Sequence, residues 1–181
     1  MSLIVAKFGG TSVANPQRIK EVAARLTSYH KEGHGVVAVV SAMGPSTDEL
    51  LKLAYSVNEK PPARELDMLL STGEQVSMSV LAMAIAALGI NAVSMTGIQA
   101  GIVTTTVFNR AKIAEIKASR IKRELKKGSI VIVAGFQGMT EEGDITTLGR
   151  GGSDTTAVAI AAAIGADVCE IYSDVDGVAT A

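Results

Sequence analysis

The chain has 181 residues and a net charge of −1, and 48% of its residues are hydrophobic, which predicts one domain with a sizeable core. Tryptophan is absent and aromatic residues make up only 3%, so the core must be built from aliphatic side chains. The near-neutral charge excludes a general electrostatic attraction to nucleic acid or to an anionic membrane. The single cysteine, Cys169, is predicted to be an inert core residue of a strand.

No targeting or membrane-spanning segment is predicted. Lys7 interrupts the apolar start of the chain, which is not the pattern of a secretory signal. The longest apolar stretches, residues 80–88 and 157–164, are shorter than the roughly 18 residues that a membrane span needs. A lone cysteine also fits a reducing compartment. We therefore expect a cytoplasmic protein.

The N-terminal segment combines a strand, a glycine loop and a helix. Apolar residues 3–6 lead into Lys7-Phe8-Gly9-Gly10, and Asn15-Pro16 is a typical helix start. Glycines after a strand let backbone N–H groups approach an anion, and the helix N-terminus adds partial positive charge. This loop predicts a phosphate site charged by Lys7, although it matches neither common nucleotide fingerprint. The alternative is a tight turn with a solvated lysine.

The next elements predict a parallel sheet. Apolar residues recur at helical spacing over 19–26, and the continuous apolar run 36–40 is typical of a strand buried on both faces. A helical crossover between two strands implies that they are parallel and that both end at the same edge of the sheet. The loops Lys7 to Ser12 and Ser41 to Gly44 should therefore meet there, where α/β sheets bind ligands.

The remaining pattern alternates helices and strands. The basic residues of the helix predicted over 111–127 could form a polyanion-binding face, but a solvated outer face is the simpler interpretation, with Ile113, Ile116, Ile121 and Leu125 pointing inward. Gly73 predicts a kink or boundary that leaves Glu74 near a helix N-terminus. The predicted elements are a helix at 47–57, a break at 58–63, a helical stretch at 64–88, a strand at 90–95, a hairpin or irregular excursion at 97–108, a helix at 111–127, a strand at 130–134, a turn at 141–144, a helix at 155–164 and a strand at 167–172.

Charged and hydroxyl side chains collect in the predicted loops. Two cations and two sets of exposed amides suit a polyphosphate together with a small substrate that carries carboxylates. Arg150 could bind a carboxylate, Glu74 could receive an ammonium group, and Asp154 could hold Lys7. The alternatives are that the two acids only complement helix dipoles and that the arginine makes a surface ion pair. Hydroxyls and backbone amides would come from Ser41, Thr47, Ser153, Gly9, Gly10, Gly151 and Gly152.

The sequence offers no metal-ligand cluster and no nucleophile–base pair, and one class of reaction requires neither. A carboxylate acceptor with a pKa of about 4 is already ionised at neutral pH. Transfer of a phosphoryl group to it then needs only positioning and neutralisation of charge, which Lys7, backbone amides and Mg²⁺ would supply. His30 and His34 are predicted to be solvated rather than catalytic.

Six motifs carry a resemblance that runs from end to end of the chain. The chain resembles the aspartokinases of the amino acid kinase family, and the stretches 71–74 and 148–154 are the most specific to them. The motifs are Lys-Phe-Gly-Gly-Thr-Ser at 7–12, Ser-Ala-Met-Gly at 41–44 with Thr47-Asp48, Ser-Thr-Gly-Glu at 71–74, Val-Ala-Gly-Phe-Gln-Gly at 133–138, Leu-Gly-Arg-Gly-Gly-Ser-Asp at 148–154 and Ser-Asp-Val-Asp-Gly-Val at 173–178.

The resemblance implies an α/β fold, a three-layer αβα sandwich around a mainly parallel sheet. It implies ATP-dependent phosphorylation of L-aspartate to 4-phospho-L-aspartate, the first step toward lysine, threonine and methionine, with ATP and Mg²⁺ as cofactors and a homo-oligomeric enzyme. It also implies roles by position: Lys7 and Asp154 in catalysis; Ser41, Thr47, Glu74, Arg150, Gly151, Gly152 and Ser153 in binding aspartate; and Lys7, Phe8, Gly9, Gly10, Ser173 and Asp174 in binding the nucleotide.

Two departures from the family pattern limit the expectation. Ala179 stands where the family usually has tyrosine, which puts one nucleotide contact in doubt. The family's catalytic domain continues beyond this length and is followed by ACT regulatory domains. We therefore expect residues 1–181 to be the N-terminal part of the catalytic domain, with a truncated sheet, oligomerisation or poor solubility, and weak or absent turnover. The alternatives are an aspartate-binding module without turnover and a related kinase acting on glutamate or N-acetylglutamate.

Overall fold

The computed structural model describes residues 2–173 as alternating strands and helices. A short 3-10 turn, Gly10–Val13, follows the first strand. The other elements in chain order are β1 (Leu3–Phe8), α1 (Pro16–Lys31), β2 (Gly35–Val40), α2 (Ser46–Val57), α3 (Ala63–Leu70), α4 (Thr72–Ala86), β3 (Ala92–Met95), β4 (Ile102–Thr104), β5 (Ile113–Ile116), α5 (Ser119–Lys126), β6 (Ile130–Ala134), β7 (Gln137–Met139), β8 (Ile145–Thr147), α6 (Gly152–Ile164) and β9 (Val168–Tyr172).

The centre of the fold is a five-stranded sheet in the order β3-β6-β2-β1-β9, and every pairing in it is parallel. Successive residues of a strand point to opposite faces, so each central strand serves two cores. Ala6 and Phe8 pack with buried residues of α1 and α4 on one face. Val5 and Val39 pack with buried residues of α5 and α6 on the other. These layers confirm the predicted αβα sandwich around a parallel sheet.

A second, smaller sheet lies beside the first, in the order β5-β4-β7-β8. β4 and β7 are parallel, whereas β4–β5 and β7–β8 are antiparallel. The turn predicted at 141–144 joins β7 to β8, where the Thr140 amide donates to Asp144. Of the hairpin or irregular excursion predicted for 97–108, the hairpin is the one present, but its second strand lies further along the chain, at Ile113–Ile116.

The helix predicted over 111–127 is wrong in its first half. Residues Ile113–Ile116 form β5, and the helix begins only at Ser119. Ile113 and Ile116 are three residues apart, which is the spacing of one helix face, but pairing with β4 makes this segment a strand. The backbone bond from the Lys117 amide to the Gly101 carbonyl, at 2.8 Å, closes that hairpin.

The prediction that Cys169 is a buried core residue is also wrong. Cys169 is exposed, because β9 is the outermost strand of the main sheet on its side among residues 2–173. Val168 and Ile171 of the same strand are also exposed, at 43% and 47%. Partial desolvation by its neighbours still raises the pKa of the thiol, with a smaller contribution in the same direction from the negative charge of Glu170.

Helices α3 and α4 meet at Ser71, which confirms the boundary expected near Gly73. Together they make an apolar helical run of 24 residues, Ala63–Ala86, that by length and composition alone could cross a membrane. Leu81 and Ile85 of this run are completely buried against the main sheet. A core helix passes the same length test, so the run is weak evidence for a membrane span.

Replacing Gly73 by alanine is expected to lower the free energy of unfolding by about 1–2 kcal/mol, although alanine is the better helix former by about 1 kcal/mol. A Cβ on Gly73 would lie 2.9 Å from the Cβ of Ala42, so α4 would have to move away from the loop after β2. Thermal denaturation measures the change. The exposed neighbour Thr72, replaced by alanine, is the control, and a Gly73→Ala chain as stable as wild type would contradict the close approach.

Candidate active site

The site begins where three neighbouring strands of the main sheet end. Val5, Val39 and Val133 lie on the face of the main sheet that α5 and α6 cover, and alternation places Lys7, Ser41 and Gly135 on that same face two residues further along. The backbone ladder continues past the strand ends, since the Ser41 amide donates to Phe8 and the Gly135 amide donates to Val40. Three strand ends therefore converge on the first turn of α6.

Lys7 makes the shortest ion pair of this region, with 2.6 Å between its Nζ and Asp154 Oδ1. Lys7 is only 8% exposed, whereas the side chain of Asp154 is 46% exposed. The aspartate lies in the first turn of α6, where the positive end of the helix dipole also favours a carboxylate. The pair fixes the ammonium group of Lys7 at the strand ends, as the sequence predicted for Asp154.

Glu74 lies opposite α6, in the first turn of α4, and is 3% exposed. Its Oε1 accepts a bond from the Ala42 amide at 3.2 Å, and its Oε2 has no hydrogen-bond partner among the described residues. Burial raises the pKa of Glu74 to about 7, and the backbone bonds to the carboxylate oppose that shift only in part. A buried acid with one free oxygen is suited to receiving a cationic group from a ligand.

Hydroxyl groups link the two sides of the site. Ser41 Oγ donates to Ser153 Oγ at 3.0 Å, which connects the loop after β2 with α6. Ser77 Oγ donates to the carbonyl of Ser41 at 2.7 Å, which connects the same loop with α4. Thr47 lies in the first turn of α2, so a third helix N-terminus faces the site. Three such termini, together with two cations, make the cleft favourable for anions.

Arg150 lies in the loop between β8 and α6 and is exposed. No ion pair within residues 2–173 involves it, so the predicted alternative of a surface ion pair is wrong for the part of the chain that the structure describes. Gly151 follows with a φ of 73°, a backbone conformation that glycine adopts without strain. This turn brings the guanidinium next to the cleft and starts α6 with its amides exposed.

Apart from Ser77 and Gly135, which lie behind the wall, these groups line one cleft of about 550 Å³. It contains both predicted catalytic residues and all seven residues predicted to bind the acceptor. The sequence reasoning missed the apolar part of the wall, Leu51, Leu70 and Phe136, although Phe136 stands in a motif that was singled out. The lining residues are Lys7, Gly10, Ser41, Ala42, Gly44, Thr47, Leu51, Leu70, Glu74, Phe136, Gly149, Arg150, Gly151, Gly152, Ser153 and Asp154.

The residues predicted to bind a nucleotide are only partly in this cleft. Gly10 lines it, next to the Ala42 carbonyl, and a Cβ on Gly9 would lie 3.5 Å from Lys7 Nζ, so Gly9 is close to the ammonium group. Phe8 is buried, its ring stacks on Tyr172 with centroids 4.8 Å apart, and its carbonyl already accepts from the Ser41 amide, so the structure does not place it to contact a ligand. Ser173 follows β9 at the same edge of the sheet. Asp174 lies outside the described residues.

Within residues 2–173 no group of three or more histidine, cysteine, aspartate or glutamate side chains is placed to hold a metal ion. Mg²⁺ that acts on phosphates commonly has only one or two protein carboxylates as ligands and takes the rest from phosphate and water. Asp154 is the partly exposed carboxylate nearest to Lys7 and could serve in this way. The cleft can thus hold anions, a cationic group and a carboxylate next to a fixed lysine.

Comparisons with known proteins indicate one family. The model of the amino acid kinase family matches residues 2–181. An aspartokinase of Corynebacterium efficiens is 58% identical over 182 residues, covering 100% of this chain and 43% of the relative. Aspartokinase 2 of Bacillus subtilis is 58% identical over 180 residues, covering 99% of this chain and 44% of the relative. The chain therefore spans less than half the length of the curated relatives it matches.

Two solved structures share the fold. The aspartate kinase from Synechocystis matches with a TM-score of 0.82 at 50% identity, over 96% of this chain and 29% of that one. The aspartokinase III of E. coli, solved in complex with aspartate and ADP, matches with a TM-score of 0.86 at 26% identity, over 97% of this chain and 50% of that one.

Proposed function

The chain belongs to the amino acid kinase family, and we propose that it forms the acceptor-binding part of an ATP-dependent kinase that phosphorylates L-aspartate on its side-chain carboxylate. The product is 4-phospho-L-aspartate. One observation carries the proposal: a single cleft joins a buried glutamate with a free oxygen, Glu74, to an arginine without an ion pair in the described chain, Arg150, and to the Lys7–Asp154 pair.

The charges of the cleft complement those of L-aspartate. In this proposal Glu74 receives the α-ammonium group and Arg150 binds the α-carboxylate, with hydroxyls from Ser41, Thr47 and Ser153 around them. The side-chain carboxylate then extends toward Lys7. The relationship to E. coli aspartokinase III, whose solved complex contains aspartate and ADP, supports this choice of ligand.

The nucleotide is proposed to approach from the loop after β1. Lys7 and the amides of Gly9 and Gly10 supply positive charge for its terminal phosphate, and Ser173 lies at the end of the adjacent strand. Asp154 would be the protein ligand for Mg²⁺ bound with ATP, and the ion would neutralise part of the charge of the phosphates. Asp154 holds the ammonium group of Lys7 in position.

The proposed reaction needs no proton transfer. An oxygen of the ionised side-chain carboxylate of aspartate forms a bond to the γ-phosphorus of ATP, and the bond from that phosphorus to the bridging oxygen of ADP breaks. The work of the protein is to bring the two anions together and to stabilise the charge on the transferred group. Lys7 is the fixed full charge that the cleft offers for that purpose.

Other acceptors are the main competitors. N-acetylglutamate has no ammonium group, so it would leave Glu74 buried without a cation, which is unfavourable when the acid is ionised. Glutamate has the same α-groups as aspartate and one more methylene, so the depth of the cleft alone distinguishes the two. A module that binds aspartate without turnover is the third possibility.

Calorimetric titration with L-aspartate and, separately, with Mg·ATP tests the binding part of the proposal. Turnover is tested by trapping the acyl phosphate with hydroxylamine in parallel reactions that contain L-aspartate, L-glutamate or N-acetyl-L-glutamate. We expect aspartate to bind and to be the preferred acceptor, and Arg150→Ala to weaken binding by about 10–100-fold, the effect of losing a charge-assisted bidentate contact. The control is Arg120→Ala in α5, outside the cleft. Preferred trapping with glutamate or its N-acetyl derivative would overturn the assignment.

Residues 1–181 are proposed to be part of a longer protein. The curated relatives are more than twice as long, which supports the proposal that residues 1–181 form the N-terminal part of a longer catalytic domain that regulatory domains accompany. We also propose a cytoplasmic enzyme at the first step toward lysine, threonine and methionine.

Exposed apolar side chains on α4, such as Met83 at 68%, support the proposal of a homo-oligomer, and sedimentation measures the oligomeric state directly.

A further inference from the structure

Asp67 is a completely buried carboxylate outside the cleft. It lies in α3, is 0% exposed, and has no cationic partner among the ion pairs of residues 2–173. Its Oδ2 accepts bonds from the amides of Asn109 and Thr147 at 2.9 and 3.0 Å, and its Oδ1 accepts from the Thr147 hydroxyl at 2.6 Å. Burying a carboxylate costs free energy unless its oxygens accept hydrogen bonds, and these three bonds offset that cost for Asp67.

The bonded groups belong to the two segments that carry the opposite charges of the cleft. Thr147 is the last residue of β8, and Arg150 follows three residues later. Asp67 lies in the last turn of α3, which ends just before Ser71, and Glu74 is in the next helix. Asp67 therefore ties the arginine segment directly to the glutamate segment.

A second bond fastens the same helix junction to the small sheet. Gln137 in β7 is almost completely buried, and its Nε2 donates to the Ser71 carbonyl at 2.7 Å. β7 pairs with β8 through Gln137 and Thr147. Two contacts thus hold the helix junction before Glu74 against the strand before Arg150. One is the bond from Gln137 to Ser71, and the other is the set of bonds to the carboxylate of Asp67.

Asp67 also fixes a loop that supports the arginine segment. Asn109 has a φ of 62°, which is unusual for a residue with a side chain, and its amide is one of the donors to Asp67. The Ala111 amide donates to the Thr147 carbonyl at 2.9 Å, and a Cβ on Gly149 would lie 3.4 Å from the Asn109 carbonyl oxygen. The loop thus packs against the backbone that leads to Arg150.

We propose that Asp67 is a positioning residue that sets the separation between Glu74 and Arg150 and so determines the affinity for the amino acid acceptor. This inference rests on the proposed function, in which those two side chains bind the α-groups of L-aspartate. It makes Asp67 responsible for acceptor binding and not for nucleotide binding, since its bonds do not reach the loop after β1.

Two substitutions separate positioning from charge. In Asp67→Asn, the amide oxygen can still accept from both backbone amides, and the amide nitrogen can donate to the Thr147 hydroxyl. In Asp67→Ala, three donors lose their acceptor. We expect Asp67→Ala to raise the dissociation constant of L-aspartate about tenfold or more, as for the loss of a buried hydrogen bond to a charged group, and Asp67→Asn to change it less than about threefold.

The control removes a buried polar group at the opposite edge of the main sheet. Ser129 is 2% exposed and accepts from Asn91 Nδ2 at 2.7 Å, just before β6. Ser129→Ala is expected to alter stability while leaving the affinity for L-aspartate unchanged. If Asp67→Ala does not fold, Thr147→Ala removes only the hydroxyl bond to Oδ1 and is expected to raise the dissociation constant about threefold.

Hydrogen exchange of the 181-residue chain without ligand measures positioning independently of binding. The proposal expects Asp67→Ala to speed exchange in both segments, residues 71–74 and 147–150, and Ser129→Ala to speed it in neither. If wild type does not bind L-aspartate, the proposed function fails, and exchange in the two segments alone decides the role of Asp67. Exchange that changes only at Asn109 and Thr147, or an unchanged dissociation constant in a chain that binds aspartate, would overturn the proposal.

Discussion

Replacing Glu74 by glutamine is expected to abolish measurable binding of L-aspartate while making the folded chain more stable at neutral and alkaline pH. The loss of binding follows because the buried carboxylate is the proposed partner of the α-ammonium group, and a neutral amide cannot balance that charge. The gain in stability follows because the same carboxylate is buried without a cation in the free chain. One substitution thus moves ligand affinity and stability in opposite directions.

The sign of the stability effect comes from the pKa of Glu74, about 7 in the folded chain against an ordinary value of 4.5. Between these values the folded chain holds a proton that the unfolded chain has released, so stability falls as the pH rises through this window. Above pH 7 the difference corresponds to a loss on the order of 3 kcal/mol. Glutamine removes this loss, so the variant should gain most above about pH 7 and nothing below about pH 4.

Binding of L-aspartate should depend on pH in the opposite sense. An ammonium ligand requires ionised Glu74, so the affinity of the wild-type chain is expected to rise as the pH passes from about 6 to about 8. Calorimetry at the two pH values and thermal denaturation across the range measure both effects. Glu65→Gln in α3 is the matched control, since its carboxylate is 60% exposed and lies outside the cleft. Undiminished binding by Glu74→Gln would contradict the assignment of the ammonium site.

Replacing Lys7 by methionine is expected to lower the rate of phosphoryl transfer by about 10³-fold or more, with only a small change in the KM for L-aspartate. Removing one fixed positive group from phosphoryl transfer commonly costs this much, because its charge acts mainly in the transition state. The fold should persist, since methionine fills a similar volume and the Asp154 side chain is 46% exposed, although its Oδ1 loses its partner. Lys7 therefore contributes to turnover far more than to stability.

The rate should be measured by hydroxylamine trapping in the protein that carries this chain, together with its melting temperature. Lys20→Met, at an exposed position of α1, controls for the change of residue type. Lys7→Arg is expected to restore less than about a tenth of the rate, because the larger planar guanidinium does not fit a position that is only 8% exposed. A Lys7→Met enzyme with more than a tenth of the wild-type rate would remove the lysine from the mechanism.

Parallel strands made much of the site predictable. The runs 36–40 and 130–134 are apolar at every position, so their strands and their parallel arrangement could be inferred from sequence. Strand ends meet at one edge of such a sheet, and this rule brought together loops that lie far apart in the chain. The structure confirms the fold that the motifs implied, and the cleft contains Lys7, Glu74, Arg150 and Asp154.

What could not be predicted depended on partners distant in sequence. Ile113 and Ile116 fit a helix until β4 is known to pair with them. Cys169 belongs to an apolar strand, but nothing local reveals that the strand is at the edge of the sheet within residues 2–173. Asp67 resembles a surface charge of an amphipathic helix, and only the small sheet, formed by residues much later in the chain, buries it.

The position of β1 between β2 and β9 has a consequence for how the protein is made. Synthesis proceeds from the N-terminus at about 5–20 residues per second, so β2 can cover one edge of β1 long before β9 has left the ribosome. The other edge of β1, which β9 later covers, stays open on the order of ten seconds, and during this time another strand could pair with it incorrectly. β1, which carries Lys7, is thus synthesised early, but its second neighbour in the sheet, β9, is synthesised late.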